Sequence, residues 1–452
     1  MLKGKTVIEL TNQQTKEVEK IEDTNMVTDV LEQILTLNPC GMICNSKKKE
    51  FFPIINKLLG GILLYENRIE EDKNLVFVPT TNNCTGYAGQ TAGDLENVLQ
   101  GSLNKQESKE TGNGYKFVWD FSTSKANGKI SSLCLTNAKA GEVYYGTKKK
   151  RTESMVLLSS EEYSSIPEDI WAKYNYSFEG DFVNNTLTSC WLENKKLVFK
   201  KFREPFLKYK FTDNFDFFLE KPLKEFSVIF KKIGSFDPET GCVYYDAKNY
   251  YFLISKVNGQ NTNIYKMTIN KEDASYEEMI LTLENIKLSK LGSYYDDHKT
   301  HSLLRGEYVY AYDSDTAKIV KFNINNPVDV SILESDFRLY QGYDSSYNCT
   351  LYQIGNMIGG LNFVIDENDK VYKTAEKYFP FGSKPISYGP FVILYQKVKR
   401  GYSDPQYYRH LYLVSPYAAT INNLSKEVEK TADKTMKIIY TISGGNENES
   451  NS

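Results

Sequence analysis

Along most of this chain hydrophobic and polar residues alternate in short runs bounded by polar turns, which is the period-two signature of half-buried strands. Lys5 to Leu10 and Glu17 to Ile21 flank the polar TNQQTK and predict a hairpin. Met26, Val27, Val30, Leu31, Ile34 and Leu35 then recur at helical spacing behind Thr24 or Asn25 as cap. They predict a helix stopping near Asn38-Pro39. Phe51 to Leu64 is apolar but holds Pro53, Gly60 and Gly61, so it reads as buried strands or loop rather than helix. Tyr115 to Phe121 and Ile130 to Leu135 flank turn chemistry at Asn127-Gly128 and predict a second hairpin. Together these elements make a small N-terminal α+β domain over residues 1–150, closed by the basic GTKKKRTES at Gly146 to Ser154.

Beyond that point strands dominate. Phe226 to Phe230, Cys242 to Asp246, Tyr250 to Lys256 and Ile264 to Ile269 read as four consecutive antiparallel strands, the content of one propeller blade. Further strands are predicted at Glu307 to Asp313, Lys318 to Ile324, Val328 to Leu333, Leu361 to Asp366 and Val371 to Ala375. Earlier and later units run through Thr186 to Leu192 with Leu197 to Phe202, and through Phe391 to Lys397 with His410 to Val414. Matching hairpins recur roughly every 50–60 residues, a period of large blades rather than of helical solenoids. The fold class is therefore mainly β, with residues 151–415 as a β-propeller-like domain of five or six blades. A β-sandwich is the alternative. Met155 to Ser159 is placed to close the ring by pairing with a C-terminal strand. Residues 416–443 form a last strand segment, around Lys437 to Ile442, that closes the ring or returns to the N-terminal domain, and 444–452 are a polar tail.

Composition narrows the function classes. A net charge of -3 gives none of the basic surplus that nucleic-acid binding needs. No run of roughly 18 apolar residues predicts a membrane helix, and the N-terminus lacks an apolar leader core. Seven scattered cysteines, Cys40, Cys44, Cys84, Cys134, Cys190, Cys242 and Cys349, lack paired spacing and read as reduced thiols. The 34 Tyr and 24 Phe against 3 Trp suit half-buried sheet surfaces.

Catalytic and metal chemistry finds little footing. YYDDHKTH at Tyr294 to His301 gathers Asp296, Asp297, His298 and His301, but it lies between strands without a third ligand or base, so it reads as a solvated loop. DSDTA and DENDK place Asp313, Asp315, Asp366, Asn368 and Asp369 like the start of calcium loops, yet neither continues, and both read as turns. No GxSxG or Gly-rich phosphate loop occurs, so no enzyme, cofactor or metal site is expected. Loops that mix tyrosine with polar residues are the candidate glycan or receptor contacts: Tyr294, Tyr295, Tyr343, Tyr347, Tyr402 and Tyr407. Aromatic faces stack on sugars while neighbouring Asp, Asn and Arg meet the hydroxyls.

Four segments carry a family resemblance: MLKGKTVIEL with EDTNMVTDVLEQIL, GGILLYENRIEEDKNLVFVP at Gly60 to Pro79, GYKFVWDFSTSKANGKISSLCLT at Gly114 to Thr136, and YAATINNLSKEVEKTADKTMKIIYTIS at Tyr417 to Ser443. They resemble structural proteins of tailed phages and prophage tail-like particles of Gram-positive gut bacteria. The resemblance implies a virion component, a tail fibre or baseplate appendage made in the host cytoplasm. Other virion proteins are then its partners, with copies of itself and a host-surface glycan or protein. It also implies that the N-terminal domain docks to the particle, with Met26, Val30, Trp119 and Phe121 as docking contacts, while the β domain projects and binds a receptor. A purely architectural decoration, collar or head-fibre protein is the alternative, and a cell-wall depolymerase the least supported reading.

Overall fold

The structure, a computed structural model, describes residues 2–35, 57–78, 83–91, 93, 96–141, 155–163, 176–204, 221–293, 299–313, 315–339, 351–360, 362–374, 385–398, 406–414 and 417–444. It divides into two compact units, one drawn from residues up to Leu158 and from Leu413 onward, the other from Ser159–Tyr412.

The first unit is one nearly closed, barrel-like sheet. Its strands are β1 (Leu2–Asn12), β2 (Val18–Val27), β3 (Gly61–Tyr65), β4 (Cys84–Ala88), β5 (Ser102–Leu103), β6 (Lys109–Thr111), β7 (Gly114–Phe121) and β8 (Gly128–Thr136), with β31 (Thr420–Lys430) and β32 (Lys434–Gly444) from the far end of the chain. Their order is β4-β3-β8-β31-β2-β1-β32-β7-β5, with β6 also on β7. Three consecutive pairs are nested, with β1 and β2 at the centre, β31 and β32 outside them, and β7 and β8 outside those. The predicted β7–β8 hairpin is therefore corrected: both strands form, but β7 pairs with β32 and β8 with β3 and β31. The reason lies in β8, where Ile130 to Thr136 are all buried, so the strand needs cover on both faces and neighbours on both edges. Closure is completed by Tyr87 of β4, whose N–H donates to the Leu99 carbonyl while its carbonyl accepts from the Gly101 N–H, just before β5.

Alternation sets which face is interior. In β1 the residues Gly4, Thr6, Ile8 and Leu10 are buried, and in β32 Met436, Ile438, Tyr440 and Ile442 are buried. Inside, the Tyr440 hydroxyl donates to Thr420 Oγ1 at 2.7 Å. The predicted helix is shorter than its apolar stripe: α1 spans Asp29–Leu35, while Met26 and Val27 finish β2 and pair with Ile421 and Thr420. A neighbouring strand with open hydrogen-bonding groups outweighs weak local helix propensity there.

The second unit is a five-bladed β-propeller-like arrangement. In chain order after β9 (Met155–Tyr163), blade 1 is β10 (Ser177–Asp181), β11 (Thr186–Glu193), β12 (Lys196–Arg203) and β13 (Lys224–Ile229). Blade 2 is β14 (Cys242–Tyr245), β15 (Asn249–Asn258), β16 (Asn261–Asn270) and β17 (Tyr276–Leu283). A two-stranded ladder, β18 (Gly292–Ser293) with β19 (Lys299–Thr300), precedes blade 3, which is β20 (Ser302–Arg305), β21 (Tyr308–Tyr312), β22 (Ile319–Asn323) and β23 (Val330–Leu333). Blade 4 is β24 (Tyr352–Ile354), β25 (Met357–Gly359), β26 (Phe363–Ile365) and β27 (Val371–Lys373). Blade 5 is β28 (Ile386–Tyr388), β29 (Phe391–Val398) and β30 (Gln406–Val414), and β9 supplies its fourth strand as the latch that closes the ring.

The four strands predicted from Phe226 to Ile269 are thus out of phase by one. The first is the outer strand of blade 1, and DPETG holds a 3-10 turn capped by Asp237 between blades rather than a hairpin within one. Packing between blades is apolar and aromatic: Phe178, Phe199, Tyr250, Phe252 and Tyr265 join blades 1 and 2, and Leu253, Val309 and Phe322 join blades 2 and 3.

Candidate functional site

The site is the axis of the propeller unit, and tight turns create it. Gly306 (φ 60), Gly355 (φ 57) and Gly389 (φ 57) each stand first in a two-residue turn between the two inner strands of a blade. A positive φ there, with none at Glu307, Asn356 or Pro390 behind it, is the type II′ turn, which favours glycine at its first central position. Gly389 is doubly constrained, because a Cβ there would come within 2.8 Å of Phe182.

Such turns fix the phase of the ladder. The pairs flanking them, Arg305–Tyr308, Ile354–Met357 and Tyr388–Phe391, exchange both hydrogen bonds. The preceding residues Leu304, Gln353 and Ser387 consequently turn their backbone N–H and C=O off the free edge of the innermost strand. In blade 2 the Asp246 N–H donates to the Asn249 carbonyl at 3.0 Å, which puts Tyr245 in the same phase. These four residues line one cavity of about 260 Å³, together with Phe178, Ser302, Arg305 and Pro385 among others.

Several charged groups near the axis join one blade to another. Glu179 of β10 pairs with Lys271 of blade 2 and accepts from the Tyr250 hydroxyl at 2.9 Å. Arg305 of β20 pairs with Asp369 of blade 4 at 2.6 Å, donates to the carbonyls of Asn356 and Asp366, and stacks on Tyr310. Lys321 reaches the other Asp369 oxygen at 2.6 Å. Burial works to raise the Asp369 pKa, but the hydrogen bonds from Lys321 and Tyr310 and the Lys321 and Arg305 charges outweigh it and hold the carboxyl below its usual range. Burial, helped by the Glu179 charge, pushes the Tyr245 hydroxyl up to about 12, so it stays protonated and neutral at physiological pH. Among the described residues no three His, Cys, Asp or Glu side chains gather to hold a metal.

The sequence-derived site residues fare differently. Tyr294, Tyr295, Tyr343, Tyr347 and Tyr402 lie outside the described residues, as do Asp296, Asp297 and His298. Tyr407 is only 4% exposed on β30, at a buried position of an alternating strand. Val30, Trp119 and Phe121 are buried in their own unit, and Met26 packs half-buried against the cluster around Leu63 and Tyr65. Asp313 and Asp366 act as turn residues, each accepting from backbone N–H groups two and more positions ahead. Cys134, Cys190 and Cys242 are buried and Cys84 half-buried as free thiols, and burial pushes Cys84 and Cys134 up to about 12. The cavity-lining Tyr245, Leu304, Gln353 and Ser387 were not singled out by sequence. For Leu304, Gln353 and Ser387 the signal is the recurring glycine of RGEY, IGNM and YGPF, one step beyond the inner strand; Tyr245 has no such mark.

One titratable group gives the propeller unit an acid sensitivity. His410, half-buried on β30 with its ring stacked on Tyr408, is pushed down from 6.5 to about 4 by burial and then by the neighbouring Arg409 charge. The unfolded chain therefore binds one more proton than the folded one between those values. Stability is full above pH 6.5 and is lost as pH falls toward 4. Partial solvent contact reduces the linkage to about 2 kcal/mol. In calorimetry, His410→Phe should narrow the Tm difference between neutral and mildly acidic buffer; an unchanged difference would assign the sensitivity to carboxylates.

No family model matches the chain, and no curated protein does. Among solved structures it is similar to the uncharacterized protein lmo1340 from Listeria monocytogenes EGD-e, at 10% identity and a TM-score of 0.19, over 48% of this chain and 87% of that one. A likeness of that size supports neither a fold nor a functional assignment.

Proposed function

We propose that the chain is a structural component of a phage tail or tail-like particle, in which the barrel-like unit is the scaffold and the propeller unit binds a host surface. One observation carries this reading. The segments that resemble tail-particle proteins are scattered from the first residues to Ser443, yet they supply the contiguous strands β3-β8-β31-β2-β1-β32-β7 of a single sheet. Segments so distant along the chain are expected to share a resemblance when they build one common unit. The unmatched middle of the chain is the propeller unit, the part that varies when a shared scaffold serves different surfaces. Binding rather than catalysis is favoured because Glu179, Arg305 and Asp369 are spent on blade-to-blade contacts and Asp246 on hydrogen bonds within blade 2.

The test is placement. Gold-labelled antibody against residues 159–412 should decorate the tail or its distal end on particles induced from the encoding bacterium. Purified chain should also compete with those particles for adsorption. Label confined to the head or collar would favour the architectural alternative, and no label on any particle would end the reading.

A further inference from the structure

We propose that the axial cavity of the propeller unit binds one sugar ring of a glycan, held by strand-edge backbone groups rather than by charged side chains. This rests on the binding role proposed above and adds the ligand class and its place.

Tyr245, Leu304, Gln353 and Ser387 come from four different blades and line the same cavity. The turn geometry directs a backbone N–H and a C=O from Tyr245, Leu304 and Gln353 off the inner strand edge, and the N–H of Ser387 with them, while the Ser387 carbonyl lies against Gly180 of β10. Donors and acceptors are therefore presented side by side. A hydroxyl both donates and accepts, so a polyol satisfies such a ring, whereas an anion faces the carbonyls and a cation faces the N–H groups.

The two ionised lining residues do not change this balance. Asp246 already accepts from the N–H groups of Lys248 and Asn249 and from the Tyr251 hydroxyl. Arg305 is spent on Asp369, Tyr310 and two carbonyls. Size points the same way. At about 260 Å³ the cavity lies below the roughly 300–1,000 Å³ of sites for drug-sized ligands. That leaves too little room for a peptide long enough to pair along these edges by strand addition. Phe178 and Tyr245 also line the cavity, their rings edge to face with centroids 6.0 Å apart.

The experiment titrates the full chain with methyl glycosides of glucose, galactose, rhamnose and N-acetylglucosamine, read by saturation-transfer NMR and calorimetry, with inorganic phosphate and tetra-alanine alongside. At least one glycoside should bind at millimolar concentration. Gln353→Trp and Ser387→Leu, which fill the cavity at half-buried positions, should each weaken it about tenfold or more with Tm preserved. If one filled variant fails to fold, the other carries the test. Binding of phosphate or tetra-alanine in place of every glycoside, no glycoside binding, or full affinity in a folded filled variant would overturn the assignment. A chain that binds a glycoside but is absent from particles keeps the site and removes the tail reading; a particle-borne chain that binds none does the reverse.

Discussion

Glu204→Gln should destabilise the propeller unit by about 3–5 kcal/mol, because it strands a buried guanidinium without its counter-charge. Glu204 and Arg409 are both 0% exposed and meet at 2.8 Å. Arg409 stands on the third strand of blade 5 and Glu204 directly after the third strand of blade 1, so the pair spans the place where the two ends of the ring meet. The Tyr388 hydroxyl donates to Asn185 Oδ1 across the same junction at 2.6 Å. The expected Tm drop, read in calorimetry on the full chain, is about 6–20 °C for a unit of this size. The double replacement Glu204→Leu with Arg409→Met should recover most of it, since removing both charges also removes their desolvation cost. Glu334→Gln is the control: its partner Lys318 is 35% exposed and Glu334 itself 78%, so the change should stay within about 0.5 kcal/mol. A loss below about 1 kcal/mol in Glu204→Gln would mean that solvent reaches the pair and that the latch strand β9 closes the ring without it.

The propeller was legible where its strands are long. Middle strands such as β11, β12, β15 and β16 run for eight to ten residues, enough for alternation to show. The innermost strands β20, β24 and β28 are three or four residues long, too short for a period to register. Those strands line the axis. The part of the chain that makes the candidate site is for that reason the part alternation does not reveal, whereas tyrosine-bearing loops stand out by composition. Blade phase was lost for a related reason: an Asp-Pro turn marks a change of direction equally well within a blade and between blades.

In the barrel-like unit the strands were legible but their neighbours were not. Local pattern predicts a hairpin wherever two strands flank a turn, and it succeeded for β1 and β2, whose register runs from Gly4–Asn25 to Thr11–Val18. It failed for β7 and β8 because both insert against strands some 300 residues away, and no local signal records a partner at that distance. The C-terminal region, expected as one strand, is two, placed on either side of the N-terminal hairpin.

Trp119→Ala should cost the barrel-like unit about 3–5 kcal/mol, the range for emptying a buried Trp site. The indole is 0% exposed, stacks on Phe117 with centroids 5.6 Å apart, and donates from Nε1 to the Gly60 carbonyl at 3.1 Å. That bond joins β7, at one end of the sheet order, to the residue preceding β3 near the other end. Trp119→Phe should therefore cost less, about 1–3 kcal/mol, keeping most of the volume but leaving the Gly60 carbonyl without its indole donor. Denaturant unfolding of the full chain measures both. The same variants decide between the two roles that aromatic residues in this segment can play. A docking residue would lose particle incorporation with stability intact, whereas a core residue loses stability first and incorporation only as a consequence. If Trp119→Phe kept wild-type stability yet no longer assembled, the burial of the indole would have to be given up on the assembled particle. The hydrogen bond to Gly60 makes the opposite result the expected one.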